Sequence, residues 1–165
     1  MDTTDHSQIV RDAAWLVDEL ATLKHMLRDV PYLDRPMGQE SVLDMLARIG
    51  KAADLFFLPV FGSLGMATPD AGEVKSLEFE THLGKVRSTV DEPELLLDSL
   101  IKKRMDVLHI LENLDKKDFE RTIVFKEGKE SISGLISLMV RYDRKQLKMI
   151  AERMLAMDME RHNAG

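Results

Sequence analysis

The stretch that decides the fold is Ser131-Ile-Ser-Gly-Leu-Ile-Ser-Leu-Met-Val-Arg-Tyr-Asp-Arg-Lys-Gln-Leu-Lys-Met-Ile150. Leu135, Met139, Tyr142, Gln146, Met149 and Arg153 recur at spacings of three and four and trace one helical face. Ile132, Ile136, Leu138, Ile150, Met154 and Met157 widen its apolar side. Ser131 is a capping residue type, so the pattern predicts a long helix from there to about Glu160, with a frayed tail beyond it. The segment before it, Arg121-Thr-Ile-Val-Phe-Lys-Glu-Gly-Lys-Glu130, changes period. Thr122, Ile123, Val124 and Phe125 favour strand, and Glu127-Gly128 reads as a turn. A short extended piece or small hairpin over about 121–127 should therefore precede the last helix.

Working backwards, Asp91-Glu92-Pro93-Glu94 is a helix start: an acid at the cap, proline in the first turn and Glu after it. Leu97, Leu100, Ile101, Met105, Leu108, Leu111 and Leu114 then form a continuous apolar stripe. A second helix is expected from about Gln39 to about Phe61. Ser41 with Asp44 three residues on forms a cap, and Val42, Leu43, Leu46, Ile49, Ala53, Phe56 and Phe57 form the stripe. Gly50 inside it marks close packing, and Pro59 should kink or close the last turn. The first helix covers residues 7–29, on Ile9, Ala13, Leu16, Leu20, Leu23 and Leu27. Pro31 and Pro36 then make a connection.

Residues 62–90 are too long for an ordinary loop. They should cross from one end of the fold to the other, with local helix around Glu73 to Phe79. Four helices, each apolar on one side, bury those sides best around a common axis. The fold class is thus all-α, a single four-helix-bundle domain over residues 1–165 with a long crossover at about 62–90.

The composition agrees. The chain has 165 residues, 44% of them hydrophobic and 32% charged, which suits one ordinary globular domain. The absence of Cys excludes disulfide scaffolds, Cys-zinc sites and thiol nucleophiles. A net charge of −6 argues against nucleic acid or an anionic membrane as the main partner. The N-terminus lacks the pattern of a signal peptide. The longest apolar cluster, Leu55 to Phe61, falls far short of the about 20 residues of a spanning helix. A cytoplasmic protein is expected.

Recognisable chemistry is sparse. Phosphate loop, nucleophile elbow and Glu-x-x-His pair are all missing, so no cofactor is implied. The pairs Asp18-Glu19 and Glu78-Glu80 read as solvated surface. Of the five histidines, His6 is near a chain end, His25 at a helix edge, His82 in the crossover and His162 in the tail. His109, four residues after Met105, lies at the border of a core stripe and is a candidate pocket ligand or base. No two of them share a helix at metal-pair spacing. The methionines of the last helix, Met139, Met149, Met154, Met157 and Met159, suit core filling and a dimer face.

Two stretches carry a family resemblance that spans most of the chain. Ser41-Val-Leu-Asp-Met-Leu-Ala-Arg-Ile-Gly-Lys-Ala-Ala-Asp-Leu-Phe56 and Ser131 to Ile150 resemble the second and last helices of the DinB/YfiT-like superfamily of metal-dependent four-helix bundles. In that family three histidines on these helices bind a divalent metal, usually nickel or zinc. Those positions fall on Arg48, Tyr142 and Gln146, none of them histidine. A guanidinium has no free lone pair and stays charged, so Arg48 cannot ligate a metal.

The resemblance therefore implies a degenerate, metal-free pocket. In it Tyr142 hydroxyl and Gln146 carbonyl would accept hydrogen bonds from Arg48. Three functions compete: binding of a small anionic ligand through Arg48, a degenerate thiol-dependent transferase or hydrolase with His109 as base, and a homodimeric interaction protein without catalysis. Whether the chain is an enzyme is left open by its residues.

Overall fold

The computed structural model describes residues 3–26, 40–65, 76–83, 86, 88 and 92–164. The connection at Pro31 to Pro36 lies outside them, as do Leu27, Asp91 and most of the crossover. The elements are α1 (Thr3–Met26), α2 (Val42–Ala52), α3 (Leu58–Gly62), α4 (Phe79–Leu83), α5 (Pro93–Glu112), α6 (Lys116–Glu120), a hairpin of β1 (Thr122–Phe125) and β2 (Gly128–Ser131), and α7 (Ile132–Ala164). The chain is an all-α four-helix bundle, with one small two-stranded sheet among the described residues.

Helix α2 begins with a full capping box. Ser41 Oγ accepts from Asp44 N–H, and Asp44 returns the bond to Ser41 N–H, both at 3.0 Å. Asp44 is fully buried, and its other oxygen accepts from Ser88 N–H at 2.9 Å. One carboxylate thus starts a helix and pins the crossover to it. Gly50 does mark close packing: a Cβ there would lie 2.9 Å from Leu100 Cδ2.

Pro59 neither ends the helix nor closes its last turn. A π-turn over Ala53–Phe57 precedes it, with Leu58 N–H bonded to Ala53 O, and helix resumes through α3 into a 3₁₀ turn at Ser63–Gly65. A proline ring clashes with the carbonyl four residues earlier in a regular α-helix, and widening the turn before it relieves that contact.

Helix α1 packs on α5 and α7, and α2 packs on the same two helices, which sets α1 diagonally opposite α2 and α5 opposite α7. The core has two apolar parts. One gathers Phe56, Phe57, Phe61, Val107, Leu111 and Met139 with the hairpin's Ile123 and Phe125; the other gathers Leu16, Leu20, Leu46, Ile49, Leu97, Leu100 and Ile150.

In the hairpin, Ile123 and Phe125 face in and Val124 faces out. Phe125 pairs with Gly128, whose φ of 135° is a conformation that a side chain would strain. Ser131 Oγ caps α7 by accepting from Gly134 N–H at 3.0 Å.

Three expectations need correction. Glu73 to Lys75 lie outside the described residues; among those described, Ser76 to Glu78 are not helical and helix runs from Phe79 to Leu83. Glu127 accounts for this: its carboxylate accepts from Ser76 Oγ and, at 2.8 Å, from Leu77 N–H, taking backbone that a helix would need. These bonds, Ser76 first, hold the Glu127 carboxyl below its ordinary range. Met105 is 56% exposed. The buried series on α5 is Leu97, Leu100, Arg104, Val107, Leu108 and Leu111, so the residue that takes the core position beside Met105 is an arginine. Helix α7 also continues past Glu160 to Ala164.

Candidate functional site

Where the two apolar parts of the core meet, the bundle is polar. Arg104 lies between Leu100 and Val107 on α5, and Asp143 between Val140 and Ile150 on α7. Arg104 Nη1 and Nη2 donate to the two oxygens of Asp143 at 2.6 and 3.0 Å, and both side chains are at most 3% exposed. The pair crosses the centre of the bundle along a diagonal. Burial pushes the Asp143 carboxyl up to about 6, although the Arg104 charge and hydrogen bonds pull it down.

One turn along α7 lies a second, more open cluster. Arg48 Nη1 donates to the buried Gln146 Oε1 at 3.1 Å. The other side of the guanidinium rests against the Glu40 carboxylate, and Arg153 donates to the Glu40 main-chain carbonyl. Tyr142 OH donates to the main-chain carbonyl of Arg48 at 3.4 Å, a long bond.

The phenol therefore does not accept from the guanidinium. Its ring is fixed by Phe79, edge-on at 5.1 Å, and Phe57 at 6.4 Å, and that packing aims the hydroxyl at the α2 backbone. Burial pushes this phenol well above its ordinary value, so it stays a protonated donor. Arg48, Gln146, Lys145, Glu80, Leu83 and Met149 line a pocket of about 210 Å³. Lys145 Nζ lies 3.0 Å from Glu80 on α4, so the crossover supplies one wall.

Arg48, Tyr142 and Gln146 thus come together. His109 does not join them: it is exposed in the last turn of α5 and lines no part of this pocket. The residues that sequence reading missed are Arg104, Asp143, Glu40, Lys145 and Glu80. For the first two a signal existed. Arg104 interrupts the 97, 100, 107, 111 stripe, and Asp143 interrupts 136, 139, 146, 150, at the spacings a core position requires. Nothing local marked Glu80 as a wall residue or Glu40 as the partner of Arg48.

No family model and no curated protein matches the sequence. Among solved structures the chain is similar to YfiT from Bacillus subtilis, described as a probable metal-dependent hydrolase with an unusual four-helix bundle topology. The TM-score is 0.67 at 13% identity, over 93% of this chain and 90% of that one. The chain shares the four-helix-bundle fold of that structure. That likeness concerns the fold and carries no activity across.

The donor set of the Arg48 pocket does not fit a divalent metal. A guanidinium offers no lone pair and repels a cation, and a carboxamide and a phenol above its usual range are weak ligands. Among the described residues no three His, Asp or Glu side chains are grouped to hold a metal ion. No described helix is long and apolar enough to cross a membrane.

Proposed function

We propose that this DinB/YfiT-like bundle binds a small anionic ligand, a carboxylate, at Arg48 without a resident metal. One observation carries the reading. Arg48 is largely buried at a pocket, held by Gln146, with the Glu40 carboxylate against its outer edge. Glu40 stands in for the carboxylate a ligand would bring: one of its oxygens rests on Nη2, while Nη1 is given to Gln146. Lys145 offers a second cation at the pocket wall, and its bond to Glu80 is solvent-exposed and weak enough to exchange. A volume of about 210 Å³ suits a compact ligand.

Catalysis has less support. The buried acid, Asp143, is sealed by Arg104, and His109 faces solvent.

Thermal shift with a panel of small mono- and dicarboxylates tests the proposal. A carboxylate should raise Tm, Arg48→Met should remove the shift, and Glu40→Gln should enlarge it by removing the internal competitor. A panel without any shift, or one unchanged in Arg48→Met, would overturn it.

A further inference from the structure

A second cleft, independent of Arg48, lies between the first turns of α1 and the α5–α6 corner. It has a volume of about 360 Å³, and its walls include His6, Val10, Leu111, Glu112, Lys116 and Phe119. His6, although near a chain end, is 5% exposed and stacked on Phe119, with ring centroids 4.4 Å apart and planes 9° from parallel. Its Nε2 is buried without a hydrogen-bond partner among the described residues.

A buried imidazole nitrogen left unpaired is unfavourable, and such groups in native proteins normally find protein or solvent partners. Here it belongs to a residue lining a cleft large enough for a small organic molecule.

From these features we infer that the His6 cleft is a binding site for a monocarboxylic acid with an apolar body. Val10, Leu111 and Phe119 offer apolar wall, where a hydrocarbon chain would leave water. Lys116 supplies a cation for the carboxylate, and His6 donates Nε2–H to the same group once the ligand parts the residues that cover this nitrogen. Glu112 on the same wall disfavours a second negative charge, which selects monoanions over dianions. The tautomer with the proton on Nε2 is the one the ligand would fix. The acid group and the apolar body are both required: the cation alone is an ordinary surface lysine, and the apolar wall alone gives no orientation.

Sodium octanoate added to the full chain tests this, read by the imidazole resonances of His6 in proton–nitrogen NMR. The expected result is a saturable shift at His6, absent with octylamine. His6→Phe keeps the ring stack and removes the nitrogen, and should weaken octanoate binding about ten-fold. Lys116→Met changes an exposed side chain and should weaken it about five-fold, so a folding defect in the first variant does not leave the question open. Arg48→Met should leave the His6 response unchanged, which separates this site from the carboxylate pocket. A His6 signal that does not move, affinity unchanged in Lys116→Met, or loss of the shift in Arg48→Met would each overturn the inference.

Discussion

Arg104 reaches helix α7 from the diagonally opposite helix and Arg48 from a neighbouring one, and both meet an oxygen acceptor there. Their surroundings differ. Arg104 is sealed in the bundle centre with Asp143, every contact supplied by the protein. Arg48 sits at the edge of a pocket with a neutral amide on one side and a partly exposed carboxylate on the other. The first arrangement has no room for a ligand. In the second, the proposed ligand would displace Glu40. The same residue type therefore acts as structure in one layer and as a candidate site about one helical turn away.

Substitutions can break this contrast. Arg104→Met should be the most damaging, costing about 3–5 kcal/mol in urea unfolding, because it leaves the Asp143 carboxyl buried without a cation. Adding Asp143→Leu should restore wild-type stability or exceed it, since an apolar pair avoids desolvating either charge. A single variant costing under about 1 kcal/mol would mean that the pair is not sealed.

Arg48→Met should cost about 1–3 kcal/mol by leaving Gln146 Oε1 buried and unpaired. It should also abolish the carboxylate thermal shift, which the Arg104→Met/Asp143→Leu pair should retain.

The pH dependence sharpens the contrast. Burial raises Asp143 from 3.8 in the unfolded chain to about 6 in the fold. The folded state therefore holds the proton more tightly. This contribution to stability is full below pH 3.8 and is lost as the pH rises through about 6. Between pH 7 and 5 the wild type should gain about 1 kcal/mol relative to the double variant, measured by urea unfolding at both pH values. Lys145→Met should have the smallest effect on stability, within about 0.5 kcal/mol, because its bond to Glu80 is exposed. It should still weaken carboxylate binding in the thermal-shift panel.

The positions of the helices were legible because their signals are local. Ser41 with Asp44, Pro93, the Thr122 to Phe125 strand and Ser131 each act within a few residues of themselves, through caps, a fixed φ or alternation. The crossover was only partly legible. Helix begins at Phe79 because Glu127, 50 residues further on, takes the backbone N–H of Leu77. Met105 was placed in the core because its spacing to Ile101 and Leu108 is helical, yet Arg104 occupies that face. A charged residue on an apolar stripe is ordinarily read as a break in the stripe. In this chain it is half of an ion pair.

Local signals in the sequence set the starts of α2, α5 and α7, the turn of the hairpin, and the absence of histidine at Arg48, Tyr142 and Gln146. Each follows from short-range sterics, capping or the chemistry of one side chain. The packing of the helices is what brings Arg104 to Asp143, 39 residues away, and Arg48 to Gln146 across 98. It alone buried His6 against Phe119. Local propensity is blind to such pairings, because they depend on which helices lie beside or diagonally across from one another. Desolvation then fixes the outcome. A charge carried into the core must find its partner there, while one left at a pocket edge stays free to exchange it.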